Sequence, residues 1–79
     1  MLTVKVKLNS IDRVKAFVNI MTKQPFDVDI ISDRYVINAK SIMGIFSLNL
    51  IEPKELRAFV DNDEVAETFK KEISEFIVE

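Results

Sequence analysis

The chain has no cysteine, no histidine and a single glycine among its 79 residues. Without cysteine there is no disulfide framework, no thiolate nucleophile and no thiolate metal site. Without histidine as well, the usual zinc and iron centres lose both of their commonest ligand types, and neither a metal nor a cofactor is expected. One glycine cannot build a phosphate-cradling loop, which needs several. No run of like charge exceeds two residues, and 11 basic against 13 acidic side chains leave a net charge of −2. That balance gives no broad attraction for nucleic acid, whose binding rests on neutralising phosphates. No apolar run approaches the roughly 18 residues of a membrane span, and the alternating start Met1–Lys7 is not a signal peptide. No membrane insertion and a cytoplasmic protein are expected.

What is present is a hydrophobic content of 48%, ordinary for a globular chain. The length suits one domain, residues 1–79, near the small end of what folds alone. Leu2, Val4, Val6 and Leu8 alternate with Thr3, Lys5 and Lys7, the period of a strand with one buried face. Asn9 and Ser10 offer an N-cap, with Asp12 in the first turn, where a helix dipole favours negative charge. Ile11, Val14, Phe17, Val18 and Met21 then recur at helical spacing until Lys23-Gln24-Pro25. Phe26, Val28 and Ile30 predict a second strand, Ser32-Asp33-Arg34 a tight turn without the glycine that best suits one, and Tyr35–Ile37 a third strand. A short helix follows, then a connection over Asn49–Pro53. Leu56, Ala58 and Val60 predict a fourth strand. Asp61 with Glu64 has the spacing of a capping box. It opens a last helix whose apolar stripe is Val65, Ala66, Phe69, Ile73, Phe76 and Ile77.

Helices apolar on one side pack against one face of an antiparallel sheet, so this order predicts an α+β two-layer open sandwich. The pattern alone also allows a ferredoxin-like fold. Catalysis is not expected. Asp27 and Asp29 lie on the outer face of a strand, Asp61 and Glu64 serve a helix start, and none is paired in an apolar setting suited to acid–base work.

The stretch that organises the chain is Ala39-Lys40-Ser41-Ile42-Met43-Gly44-Ile45-Phe46-Ser47-Leu48. Ser41 reads as the cap of a short helix, its hydroxyl accepting from a backbone N–H two or three residues on. Ile42, Met43, Ile45 and Phe46 give this helix more apolar surface than a two-turn helix needs as an anchor. Some of that surface is core and some is available for docking, with Met43 the residue expected outside.

These ten residues resemble the regulatory-serine helix of HPr, the histidine-containing phosphocarrier of the bacterial sugar phosphotransferase system. The order of elements resembles it too. The resemblance implies the HPr-like arrangement β-α-β-β-α-β-α, a four-stranded antiparallel sheet in the order 1-4-2-3 with three helices on one face. It also implies a regulatory phosphorylation site at Ser41 and a partner-docking patch at Ile42, Met43 and Phe46. The partners it implies are an HPr-type serine kinase, a LacI-type repressor and phosphotransferase-system components.

In that family the phosphate rides on a histidine at the start of the first helix, followed closely by an arginine. Counting back from Phe17-Val18 places approximately Ser10 at the histidine and approximately Asp12 at the arginine. A chain without histidine cannot carry phosphohistidine, and a carboxylate repels an incoming phosphate. Two readings follow. The first is a protein-binding regulatory homologue switched at Ser41. The second is a degenerate HPr-fold interaction domain without a phosphotransferase-system role, Ser41 being only a cap.

Overall fold

The computed structural model describes residues 1–78. Strand β1 (Leu2–Val6) is followed by helix α1 (Ile11–Thr22), strands β2 (Val28–Ser32) and β3 (Tyr35–Asn38), and helix α2 (Ile42–Phe46). Strand β4 (Lys54–Ala58), helix α3 (Asp63–Glu72), a 3₁₀ turn (Ser74–Phe76) and strand β5 (Ile77–Val78) complete the order. The sheet runs β3-β2-β4-β1-β5, and every neighbouring pair is antiparallel. Its first four strands have the order 1-4-2-3 expected of the HPr-like sandwich.

Alternation decides which face the helices cover. Val28 and Ile30 of β2, Leu56 and Ala58 of β4 and Val6 of β1 are buried, whereas Thr3, Lys5 and Arg57 between them stay exposed. Onto this face α1 brings Val14, Phe17, Val18 and Met21, α2 brings Ile45 and α3 brings Phe69. Ile11, expected on the α1 stripe, is 63% exposed, so the stripe begins one turn later. The β2–β3 hairpin closes without glycine because Asp33 takes the positive φ of 54°, a conformation that aspartate tolerates better than most residues.

The second strand begins at Val28 rather than Phe26, and the fourth spans Lys54–Ala58 rather than ending at Val60. Phe26 instead packs its ring edge-on against Phe69, 5.2 Å between centroids. The cap of α3 is Asn62, not Asp61. Its side-chain carbonyl accepts from the N–H groups of Glu64 (2.8 Å) and Val65 (3.1 Å). Asp63 and Glu64 then sit in the first turn, where the dipole favours them.

The main departure lies at the end of the chain. The apolar stripe predicted one helix through Ile77, but α3 stops at Glu72 and the cap residue Ile73 leaves helical geometry at φ −101°, ψ 10°. The tighter turn that follows lowers Phe76 into the core, 1% exposed and edge-on to Phe17 at 5.5 Å. A fifth strand results. The carbonyl of Phe76 accepts from the N–H of Lys7 at 2.8 Å, and Ile77 and Val78 pair with Val6 and Lys5. The β1 edge, which a longer helix would leave unpaired, is thereby satisfied.

Arg13 holds this closure from the side of α1. Its guanidinium donates to the carbonyl of Lys7 (3.2 and 3.0 Å) and to that of Glu75 (2.9 Å), and lies 4.9 Å from the centre of the Phe76 ring. One side chain thus ties the head of α1 to the exit of β1 and to the turn that leads into β5. Hydrogen bonds from a charged donor contribute about 1.5–3 kcal/mol. Replacing Arg13 with Met, which keeps the stem, is expected to lower stability by about 2 kcal/mol in urea unfolding. It should also speed amide exchange first at Phe76–Val78.

Candidate functional site on the serine helix

The serine helix is set in place from both sides. Ahead of it, the Asn38 side-chain carbonyl accepts from the Lys40 N–H (2.9 Å), and the Asn38 backbone carbonyl accepts from the Ser41 N–H (2.9 Å). The Lys40 ammonium donates to the carbonyl of Gln24 at 3.0 Å, tying the approach to α2 to the end of α1. Ser41 has extended geometry (φ −96°, ψ 100°) and its Oγ accepts from the Gly44 N–H at 3.1 Å. It is the N-cap that the sequence predicts. Ser47 closes the other end, its hydroxyl donating to the Gly44 carbonyl at 2.6 Å.

Gly44 is required by proximity rather than by its backbone angles. A Cβ built there would lie 2.7 Å from Cγ2 of Ile37 and 3.1 Å from Oγ of Ser41. The helix can therefore lie close against β3 only while position 44 lacks a side chain. With Ala39 and Ile45 fully buried beside it, this contact fixes which face of α2 points outward.

That outward face is apolar. Met43 is 77% exposed and Phe46 38%, three residues apart and so neighbours on the helix surface. Ile42 is half-buried against the core. Ser41 itself is exposed. Ile51, in the loop after α2, is 79% exposed. Sequence reasoning passed over it as part of a connection; its signal was a second apolar residue directly after Leu50, with no periodicity to bury both.

The residues at the head of α1 are arranged differently. Ser10 is exposed and caps the helix, its Oγ accepting from the Arg13 N–H at 3.1 Å. Asp12 is exposed in the first turn. Arg13, which the sequence reading did not single out, is the cation nearest in sequence to Ser10 in α1. Its guanidinium is spent on main-chain carbonyls and Phe76 instead of facing an open phosphate site. Its signal was an arginine in the first turn of an amphipathic helix, with no carboxylate three or four residues away to pair with it. The sequence-predicted residues thus fall into two groups, Ser10 with Asp12 on α1 and Ser41 with Ile42, Met43 and Phe46 on α2.

The fold is the open-faced sandwich of HPr phosphocarriers. The structure is similar to that of HPr-C-His from Thermoanaerobacter tengcongensis, at 26% identity and a TM-score of 0.69 over 92% of this chain and 89% of the other. It is also similar to the phosphocarrier protein HPr from Bacillus anthracis str. Ames, at 24% identity and a TM-score of 0.65 over 91% and 93%. No family sequence profile and no curated protein sequence matches the chain.

Two substitutions probe the helix. Ser41→Ala is expected to cost about 1 kcal/mol in denaturant midpoint through loss of the cap, with Ser41→Asp close to wild type. Gly44→Ala gains about 1 kcal/mol of helix propensity at an unconstrained site. Here it presses on a stiff β-branched neighbour and is expected to destabilise by about 1–2 kcal/mol. In an Ile37→Ala background the same change should become neutral or stabilising, a coupling read from a double-mutant cycle.

Proposed function

We propose that this chain is an HPr-like protein of the phosphotransferase-system type that acts by binding other proteins, not by relaying phosphate or by catalysis. Phosphorylation of Ser41 is its switch. The observation that carries this reading is the exposed apolar pair Met43 and Phe46 immediately after the exposed hydroxyl of Ser41. An apolar surface left outside on so small a fold is suited to docking, and methionine adapts to varied partners. No residue of the chain can form a phosphohistidine, and the side chain of Arg13 is committed to the fold.

A phosphate on Ser41 would add roughly −1.5 to −2 charges beside this apolar pair and at the start of a helix, where N–H groups accommodate it. Partners whose sites carry a cation would gain affinity, and partners that bury only the apolar pair would lose it. By resemblance these are an HPr-type serine kinase, a LacI-type repressor and cytoplasmic phosphotransferase-system components. Ile42, Met43 and Phe46 supply the apolar contact.

A second reading is favoured by the 3.1 Å bond from Gly44 N–H to Ser41 Oγ. Capping alone accounts for the serine, and the chain is then an interaction domain of HPr fold without a role in sugar uptake. Intact-mass analysis after incubation with an HPr serine kinase and ATP separates the two. The expected result is a gain of one phosphate, mapped to Ser41 and lost in Ser41→Ala. No gain under conditions that modify an authentic HPr leaves the cap as the whole role of Ser41.

A further inference from the structure

The two edges of the sheet are finished differently. The outer side of β1 is taken by β5, whereas the sheet ends at β3 among the described residues. The N–H of Ala39 donates to the carbonyl of Val28 at 2.8 Å, and this bond sets the parity of the hairpin. Tyr35, Ile37 and Ala39 turn their main-chain groups toward β2, so Val36 and Asn38 turn theirs away from the sheet. Val36 thus presents both its N–H and its C=O to the outside. Asn38 presents its N–H there, its carbonyl accepting from the Ser41 N–H.

Proteins blunt such an edge with lysine, proline, a bulge or a covering segment. Strand β3 has neither lysine nor proline, and its register with β2 is unbroken from Ser32–Tyr35 to Asp29–Asn38. Its side chains are apolar on both faces of the sheet. Tyr35, 62% exposed, shares the helix-bearing face with Ile37. Val36, 61% exposed, stands on the open face beside the half-buried Ile31. Lys5, Asp29, Glu55 and Arg57 make the rest of that face charged, so Val36 and Ile31 form an apolar corner on it.

What fits such an edge is an extended strand, which offers donors and acceptors at the matching spacing. The edge is its own complement. Set antiparallel about a two-fold axis at Val36, two copies exchange Val36 N–H to Val36 C=O bonds in both directions. On the helix-bearing face Tyr35 then meets the second copy's Ile37, an aromatic and β-branched pair. On the open face Ile31 and Val36 join their counterparts in one apolar strip. Arg34 falls opposite Asn38, so no like charges face each other. The symmetric register centred on Ile37 instead sets Arg34 against Lys40, a like-charge pairing that costs stability. We propose that β3 is a self-pairing edge, through which two copies of this chain join antiparallel at Val36 into one continuous sheet. The pairing does not call on Ser41 or its phosphorylation.

The test is sedimentation equilibrium of the full chain over a concentration series reaching about 1 mM, since so short a ladder makes a weak dimer. Amide exchange is followed at both ends of the series. The mass is expected to rise from 9.1 kDa toward twice that value, and the Val36 and Asn38 amides should exchange more slowly at high concentration. Val36→Lys changes an exposed side chain and sets two like charges at the two-fold axis. It should fold with a urea midpoint close to wild type and dimerise about tenfold or more weakly. Val36→Thr, which keeps the β-branch, should pair as wild type. A chain that stays at 9.1 kDa throughout would overturn the proposal and leave the edge open to a foreign strand alone. A dimer without added protection at Val36, or one as strong in Val36→Lys as in wild type, would overturn it too and place the contact elsewhere.

Discussion

One covered sheet face has to stabilise the whole molecule, since no disulfide supplements it. Every strand contributes alternate residues to that face, and each helix donates an apolar stripe or, for α2, a single fully buried isoleucine. The aromatic pairs Phe17–Phe76 and Phe26–Phe69 lock the helix layer from opposite ends of the chain. A small chain buries a modest share of its surface, which makes the close fits count. Gly44 against Ile37 and Arg13 against Phe76 are two of them. The opposite face is left to alternating charges, among them the Arg57–Glu55 pair, whose exposed groups add little to stability.

How far the sequence disclosed this depends on the kind of signal. The strands of the sheet interior were legible because Leu2–Leu8 and Val28–Ile30 alternate cleanly, and α1 because Val14, Phe17, Val18 and Met21 recur at helical spacing. Ser41 was legible as a cap because a hydroxyl residue stands just before an apolar run. The break at Ile73 was not. Ile73, Phe76 and Ile77 satisfy a helical stripe, and what overrides it is the unpaired edge of β1, seventy residues away in sequence. The shift of the α3 cap from Asp61 to Asn62 was hidden for a local reason. Either residue can cap, and only the backbone geometry of the loop selects one.

Within the candidate site, position and chemistry separate in the same way. Periodicity and the resemblance located Ile42, Met43 and Phe46 on one short helix, yet the degree of exposure of each follows from how closely α2 lies on β3. That closeness is carried by Gly44 and Ile37, a contact between residues that no sequence pattern links. Arg13 escaped notice for the same reason: its meaning comes from Glu75 and Phe76, distant along the chain.

The placement of β1 has a consequence for how the molecule assembles. The first strand in sequence pairs with β4 and β5, both from the last third of the described chain, and with no strand near it. The α1 helix and the β2–β3 hairpin close over short distances, but half of the sheet has to wait for contacts of high sequence separation, the slow kind to form. During synthesis β1 therefore leaves the ribosome without a partner. Its exposed apolar edge remains open until the segment bearing Phe76 has emerged, and only then does the fold close.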